Sequence, residues 1–138
     1  MKFVYESDEN GNEFVKEMWM VRGDDEVIAV SPGIMLDGVL NENGYSVQDG
    51  DVITLTVRET PDDEAAVLMR ISSAPGVMRI PIRHEDTEGI PYGQYSADIE
   101  LVTADGYHKT IWPILKPERT RAGATNLKNF NICSEVTF

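Results

Sequence analysis

The sequence has 138 residues, 41% of them hydrophobic, with 11 glycines and 7 prolines, which is the size and usage of one globular domain and excludes a fibrous repeat or a wholly disordered chain. Its 24 acidic and 12 basic residues leave a formal charge of −12, a field that repels nucleic-acid phosphate and anionic lipid headgroups, so neither nucleic acid nor membrane is an expected partner. The single cysteine, Cys133, excludes an internal disulfide, and the fold does not depend on an oxidising compartment.

The first eight residues, Met1 to Asp8, turn acidic before an apolar core of a signal peptide develops, and no later stretch approaches the ~20 apolar residues of a membrane span. The expectation is a protein made in the cytoplasm with no signal peptide. Asp8-Glu9-Asn10-Gly11-Asn12-Glu13 places oxygen ligands at alternating positions, as a calcium loop begins. Glu13 stands where the loop needs glycine and no glutamate closes it, so a hairpin turn is predicted. Glu13 to Val21 satisfies helical and strand counting alike through Phe14, Val15, Met18, Trp19 and Val21. Arg22-Gly23-Asp24 spells a tripeptide that integrins read, but a further acid, Asp25, follows it, and a β-turn is the expectation.

Asp51 to Arg58 alternates Ile53, Leu55 and Val57 with Thr54, Thr56 and Arg58, which predicts a strand with one wet face. Pro61 followed by the acidic run of Asp62–Val67 suits a short helical turn. Met78, Ile80 and Ile82 alternate with Arg79 and Arg83, and Pro81 marks that strand as an edge or a bulge. His84-Glu85-Asp86-Thr87-Glu88 offers polar groups at alternate positions, expected at a strand end. The clearest strand runs from Gln94 to Val102, with Tyr95, Ala97, Ile99 and Leu101 on one side. Asp105-Gly106 then predicts a hairpin into Thr110, Ile111 and Trp112. Lys116 to Lys128, with Pro117, Gly123 and Asn126, is polar enough for a long excursion. Phe130, Ile132, Val136 and Phe138 share the parity of a closing strand.

Many short strands separated by turns, with no long amphipathic helix, predict an all-β fold, and we expect one domain over residues 1–138 built as an antiparallel immunoglobulin-like β-sandwich. Only His84 and His108 could serve as histidine bases, and no nucleophile elbow accompanies them. Nothing in the sequence gives Cys133 a cationic neighbour, and phosphate-cradling glycine loops are lacking. The expectation is a protein that is not an enzyme and uses no cofactor and no metal.

From Arg22 onward the order of turns and strands resembles the N-terminal β-sandwich domain of phage baseplate upper proteins and related prophage structural proteins. The resemblance is carried by Arg22-Gly23-Asp24 entering a strand, by Asp51-Val52-Ile53-Thr54-Leu55-Thr56-Val57-Arg58, and by Gly93-Gln94-Tyr95-Ser96-Ala97-Asp98-Ile99-Glu100-Leu101. Asp105-Gly106 before Thr110-Ile111, and Ile132-Cys133-Ser134-Glu135-Val136-Thr137, complete it. It implies a phage or prophage structural protein of tail or baseplate type, a protein–protein interaction module that docks onto other virion proteins or copies of itself and is assembled into the virion in the bacterial cytoplasm. The residues expected to carry that docking are Lys116, Arg119, Arg121 and Lys128, four of the 12 basic side chains, which complement an otherwise acidic surface. The alternative is a carbohydrate- or peptide-binding β-sandwich module with Trp112, Tyr107 and Tyr92 as its platform.

Overall fold

A computed structural model describes residues 1–11, 13–36, 39–41, 45–62, 64–106, 108–109, 112–115 and 127–134. The strands in chain order are β1 (Lys2–Ser7), β2 (Glu13–Val21), β3 (Glu26–Leu36), β4 (Val39–Asn41), β5 (Val52–Arg58), β6 (Val67–Ser72) and β7 (Arg79–Ile82). A short helix α1 (His84–Glu88) follows, then β8 (Gly93–Val102), β9 (His108–Lys109), β10 (Trp112–Leu115) and β11 (Leu127–Cys133). The fold is all-β. Six strands form the larger sheet in the order β1-β2-β11-β8-β5-β6, with β9 also pairing with β8, while β3 pairs with β4, β7 and β10 in a smaller one.

Parity dictates what each sheet buries. Ile53, Leu55 and Val57 of β5 and Leu101 of β8 are fully buried, and their alternating neighbours face outward, because successive side chains on a strand point to opposite faces. Ile28 and Val30 of β3 and Ile80 and Ile82 of β7 join the same buried cluster, so the two sheets share one apolar core. Tyr95 was expected in that core and is only partly buried there, because its hydroxyl reaches the Pro91 carbonyl at 2.7 Å and holds the ring at the rim.

The ambiguous Glu13–Val21 segment is a strand, and a bulge explains its helical look. Val4 pairs with Glu17 and Tyr5 with Val15, so Lys16 is an extra residue on β2. The bulge resets parity and lets Val15 and Met18, three residues apart, both point inward. The turn residues behave as their chemistry requires: Gly11, Gly23 and Gly106 have φ of 80, 87 and 86° in the turns that follow β1, β2 and β8.

Three expectations need correction. The larger sheet is mixed, because β11 lies parallel to β2 while pairing antiparallel with β8. Asn131 helps hold that junction by donating its buried amide to the Met18 carbonyl at 3.2 Å. The segment after Pro61 makes a single turn, with Ala65 N–H on the Asp62 carbonyl at 2.9 Å and Glu64 N–H on the Asp62 side chain, and Glu59 N–H bonds the Ala66 carbonyl at 3.2 Å as the chain enters β6. His84–Glu88 is helical rather than a strand end, since Asp86 Oδ2 accepts the Arg83 N–H at 2.8 Å and caps the first turn. Lys128 belongs to β11, opposite Ser96 of β8, rather than to the preceding excursion, because pairing with β8 begins at Leu127.

Candidate functional site

Among the described residues, two surface regions gather charged side chains. In the first, the turn between β2 and β3 is strapped to α1. Gly23 N–H donates to Thr87 Oγ1 at 2.9 Å, and Arg22 lies 3.8 Å over the Tyr92 ring with a guanidinium N–H toward the Ile90 carbonyl. Asp25 Oδ1 accepts both the backbone N–H of His84 at 2.7 Å and its Nδ1 at 3.1 Å, while His84 Nε2 lies 3.0 Å from Glu85 Oε2. Both ring nitrogens therefore face carboxylates, an arrangement that suits the doubly protonated ring. The Asp25 bond, followed by the Glu85 charge, raises the His84 pKa above its ordinary value. The backbone N–H of His84, then its ring, lowers that of Asp25.

Here His84 acts as an exposed tether between a turn and a helix, with both nitrogens committed. Arg22 of the Arg22-Gly23-Asp24 turn is likewise engaged, stacked on Tyr92. Tyr92, 55% exposed, thus gives one ring face to Arg22. Its expected platform partners fall away from description: Tyr107 lies outside the described residues, and only the backbone of Trp112 is described, in β10. Only the backbone of His108 is described too, in β9. Cys133 is half-buried with its thiol toward the Met20 carbonyl. Asp8 and Gly11 close the β1–β2 turn through a Gly11 N–H to Asp8 carbonyl bond of 3.1 Å. Among the described residues no group of three or more His, Cys, Asp or Glu side chains could hold a metal ion.

Of the four residues expected to carry docking, Lys116, Arg119 and Arg121 lie outside the described residues, and Lys128 is placed by its backbone opposite Ser96. The sequence reading did not single out the second charged region, the outer face of β5 and β6. Arg58, Arg70, Thr54, Thr56 and Ser72 line it beside Asp98 and Glu100 of β8, around a shallow groove of about 480 Å³. The register crosses the sheet in rows, Asp98–Thr56–Arg70 and Glu100–Thr54–Ser72. Arg58 donates to the Ala65 carbonyl at 3.2 Å and Arg70 to Thr56 Oγ1 at 3.5 Å. The alternation of Thr and Arg along β5 was a visible signal. What it lacked was the knowledge that β6 is the sheet's last strand among the described residues.

No family model, curated protein or solved structure matches the chain. No helix among the described residues is long and apolar enough to cross a membrane.

Proposed function

We propose that this chain is a structural assembly domain of the phage tail or baseplate kind, an immunoglobulin-like sandwich that binds other virion proteins or its own copies through extended surfaces and sheet edges. The observation that supports this reading best is the layout of the larger sheet, whose terminal strands β1 and β6 each pair on one side only among the described residues. An unpaired edge presents a row of backbone donors and acceptors, the usual template for joining another chain. The histidine best placed for chemistry is an exposed tether, so no reaction is assigned to it. The basic residues Lys116, Arg119, Arg121 and Lys128 add steering toward the acidic surface of a neighbour, and that steering weakens with salt.

The test is co-expression with the products of the genes that flank its own, followed by cross-linking and electron microscopy of any particle formed. Incorporation at a fixed position in a tail or baseplate, impaired by deletion of residues 117–126 and by high salt, is the expected result. A folded protein that enters no particle and contacts none of those products overturns the proposal.

A further inference from the structure

Natural sheets protect their edges with prolines, charges, bulges or covering elements, and the described edges of this protein differ in how far they do so. β7 has Pro81 at its centre, with exposed Arg79 beside it. β1 carries Lys2 and Glu6, and the amino group of Met1 before it is paired with Glu26 at 2.8 Å. β6, Val-Leu-Met-Arg-Ile-Ser, has no proline and no acid, and Arg70 is its single charge. One bulge, at Leu68, is its sole irregularity against β5.

The direction of the free backbone groups on β6 follows from the ladder. Ser73 N–H bonds the Ile53 carbonyl at 2.9 Å. Bonded and non-bonded pairs alternate in an antiparallel ladder, so Ile71 and Met69 face β5, and the N–H and C=O groups of Ser72 and Arg70 point away from the sheet. No strand pairs with them among the described residues. The Arg70 side chain is exposed on the outer face next to Arg58, and neither guanidinium forms an ion pair among the described residues. Asp98 and Glu100 share the groove but stand inward on β8, two strands from the edge, so the two cations nearest the unpaired edge, in a molecule of charge −12, define the complementary ligand: an extended segment with carboxylates on alternate residues.

We propose that β6 is a strand-addition site that accepts an acidic extended segment of a partner protein, bonded to the backbone of Arg70 and Ser72 and held in register by a carboxylate against the Arg70 and Arg58 guanidiniums. This inference rests on the reading of the chain as an assembly module and names the edge and the partner chemistry for it. A second copy of β6 is a poor partner, because a two-fold antiparallel pairing centred there sets Arg70 near its own copy.

The test uses the full chain with two probes, a short synthetic peptide of alternating valine and glutamate and its counterpart with lysine for glutamate. Fluorescence anisotropy reads binding and amide hydrogen exchange reads its location. The glutamate peptide is expected to bind, to protect the amides of Arg70 and Ser72, and to weaken as salt rises, while the lysine peptide does not bind. Ser72→Pro removes an outward N–H while leaving the backbone bonds of the β5–β6 ladder in place, and is expected to lower affinity about tenfold; Ser72→Ala, which like it loses the 2.8 Å hydroxyl bond to Thr54 but keeps the N–H, is expected to bind as the parent does. Arg70→Glu should match the proline variant's loss by charge alone, which keeps the test alive if the proline variant fails to fold. Equal binding of the lysine peptide, no binding of either, or unaltered affinity in folded Ser72→Pro or Arg70→Glu overturns the assignment. Particle assembly that survives Ser72→Pro overturns this edge and leaves the structural reading standing. Peptide binding by a protein that enters no particle does the reverse.

Discussion

The hydroxyl of Tyr45 donates to Oδ2 of Asp51 at 2.6 Å, and the backbone N–H of Gln48 reaches the same oxygen at 2.9 Å. Asp51 is completely buried, and its other oxygen has no hydrogen-bond partner among the described residues. One oxygen therefore carries the hydrogen bonding of a carboxylate withdrawn from water, and it ties the loop before β5 to the sheet. Burial, with the Asp51 bond and charge behind it, pushes the Tyr45 phenol up from 10.0 to about 12.

A raised phenol pKa means that the folded state favours the protonated hydroxyl. Its contribution to stability is complete below pH 10.0 and is lost as pH climbs through about 12. Ultraviolet titration of the phenolate should show one late tyrosine that disappears in Tyr45→Phe. The same substitution removes a donor from a buried carboxylate and should cost ~1–3 kcal/mol in chemical denaturation. A late tyrosine persisting in the variant would assign the shift to another residue.

Leu101 is fully buried and lies opposite Ile53 across the β5–β8 ladder. Leu101→Ala is expected to destabilise by ~2–5 kcal/mol, through lost transfer energy and the cavity left behind. Urea unfolding measures it, and a change below ~0.5 kcal/mol would place this side chain outside the core.

The Asp25–His84 contact is an exposed one, so its signature is spectroscopic. His84 is raised above 6.5, so the tether is fully present below that value and is lost as pH rises through the higher folded-state pKa. Asp25 is lowered below 3.8, so its share is present above 3.8 and is lost as pH falls through the depressed value. The strap is therefore complete between those limits. Nuclear magnetic resonance titration of the His84 ring in Asp25→Ala should move its pKa down toward 6.5, and an unchanged value would mean that the charges of Glu85 and Glu88 sustain it.

Gly76, in the turn leading from β6 to β7, has a φ of 75°, and a Cβ there would sit 2.9 Å from the Asp49 carbonyl oxygen. Gly23 has a φ of 87° with open space around it. Gly76→Ala adds a steric conflict with backbone to the conformational strain that both variants share, and should cost ~1–3 kcal/mol, more than Gly23→Ala. Equal losses would show that Asp49 yields.

The sequence exposed the elements whose alternation is unbroken. β5 and β8 follow directly from Ile53-Thr54-Leu55-Thr56-Val57 and from the run around Ile99, because one wet face and one dry face leave a period of two. Bulges hid the rest: Lys16 on β2 shifts parity and imitates a helical stripe. Helix α1 was missed because its start depends on Asp86 reaching back to Arg83 and on Asp25, 59 residues away, taking the His84 N–H. The exposed edge at β6 was illegible for a different reason. Which strand ends a sheet is decided by long-range pairing, and nothing within Val67–Ser72 records it.

The parallel junction of β2 and β11 also bears on how the molecule is made. Asn131 and the Met18 carbonyl that it bonds are 113 positions apart. Before β11 arrives, the β1–β2 hairpin and the β8-β5-β6 group are separate patches, each with an open inner border. Closing that gap pays a large loop entropy, so the protein should fold slowly for its size. On the ribosome, the first hairpin must wait as an unpaired edge while the strands of the other patch are still being synthesised. In that interval the nascent chain is most open to pairing with the wrong strand.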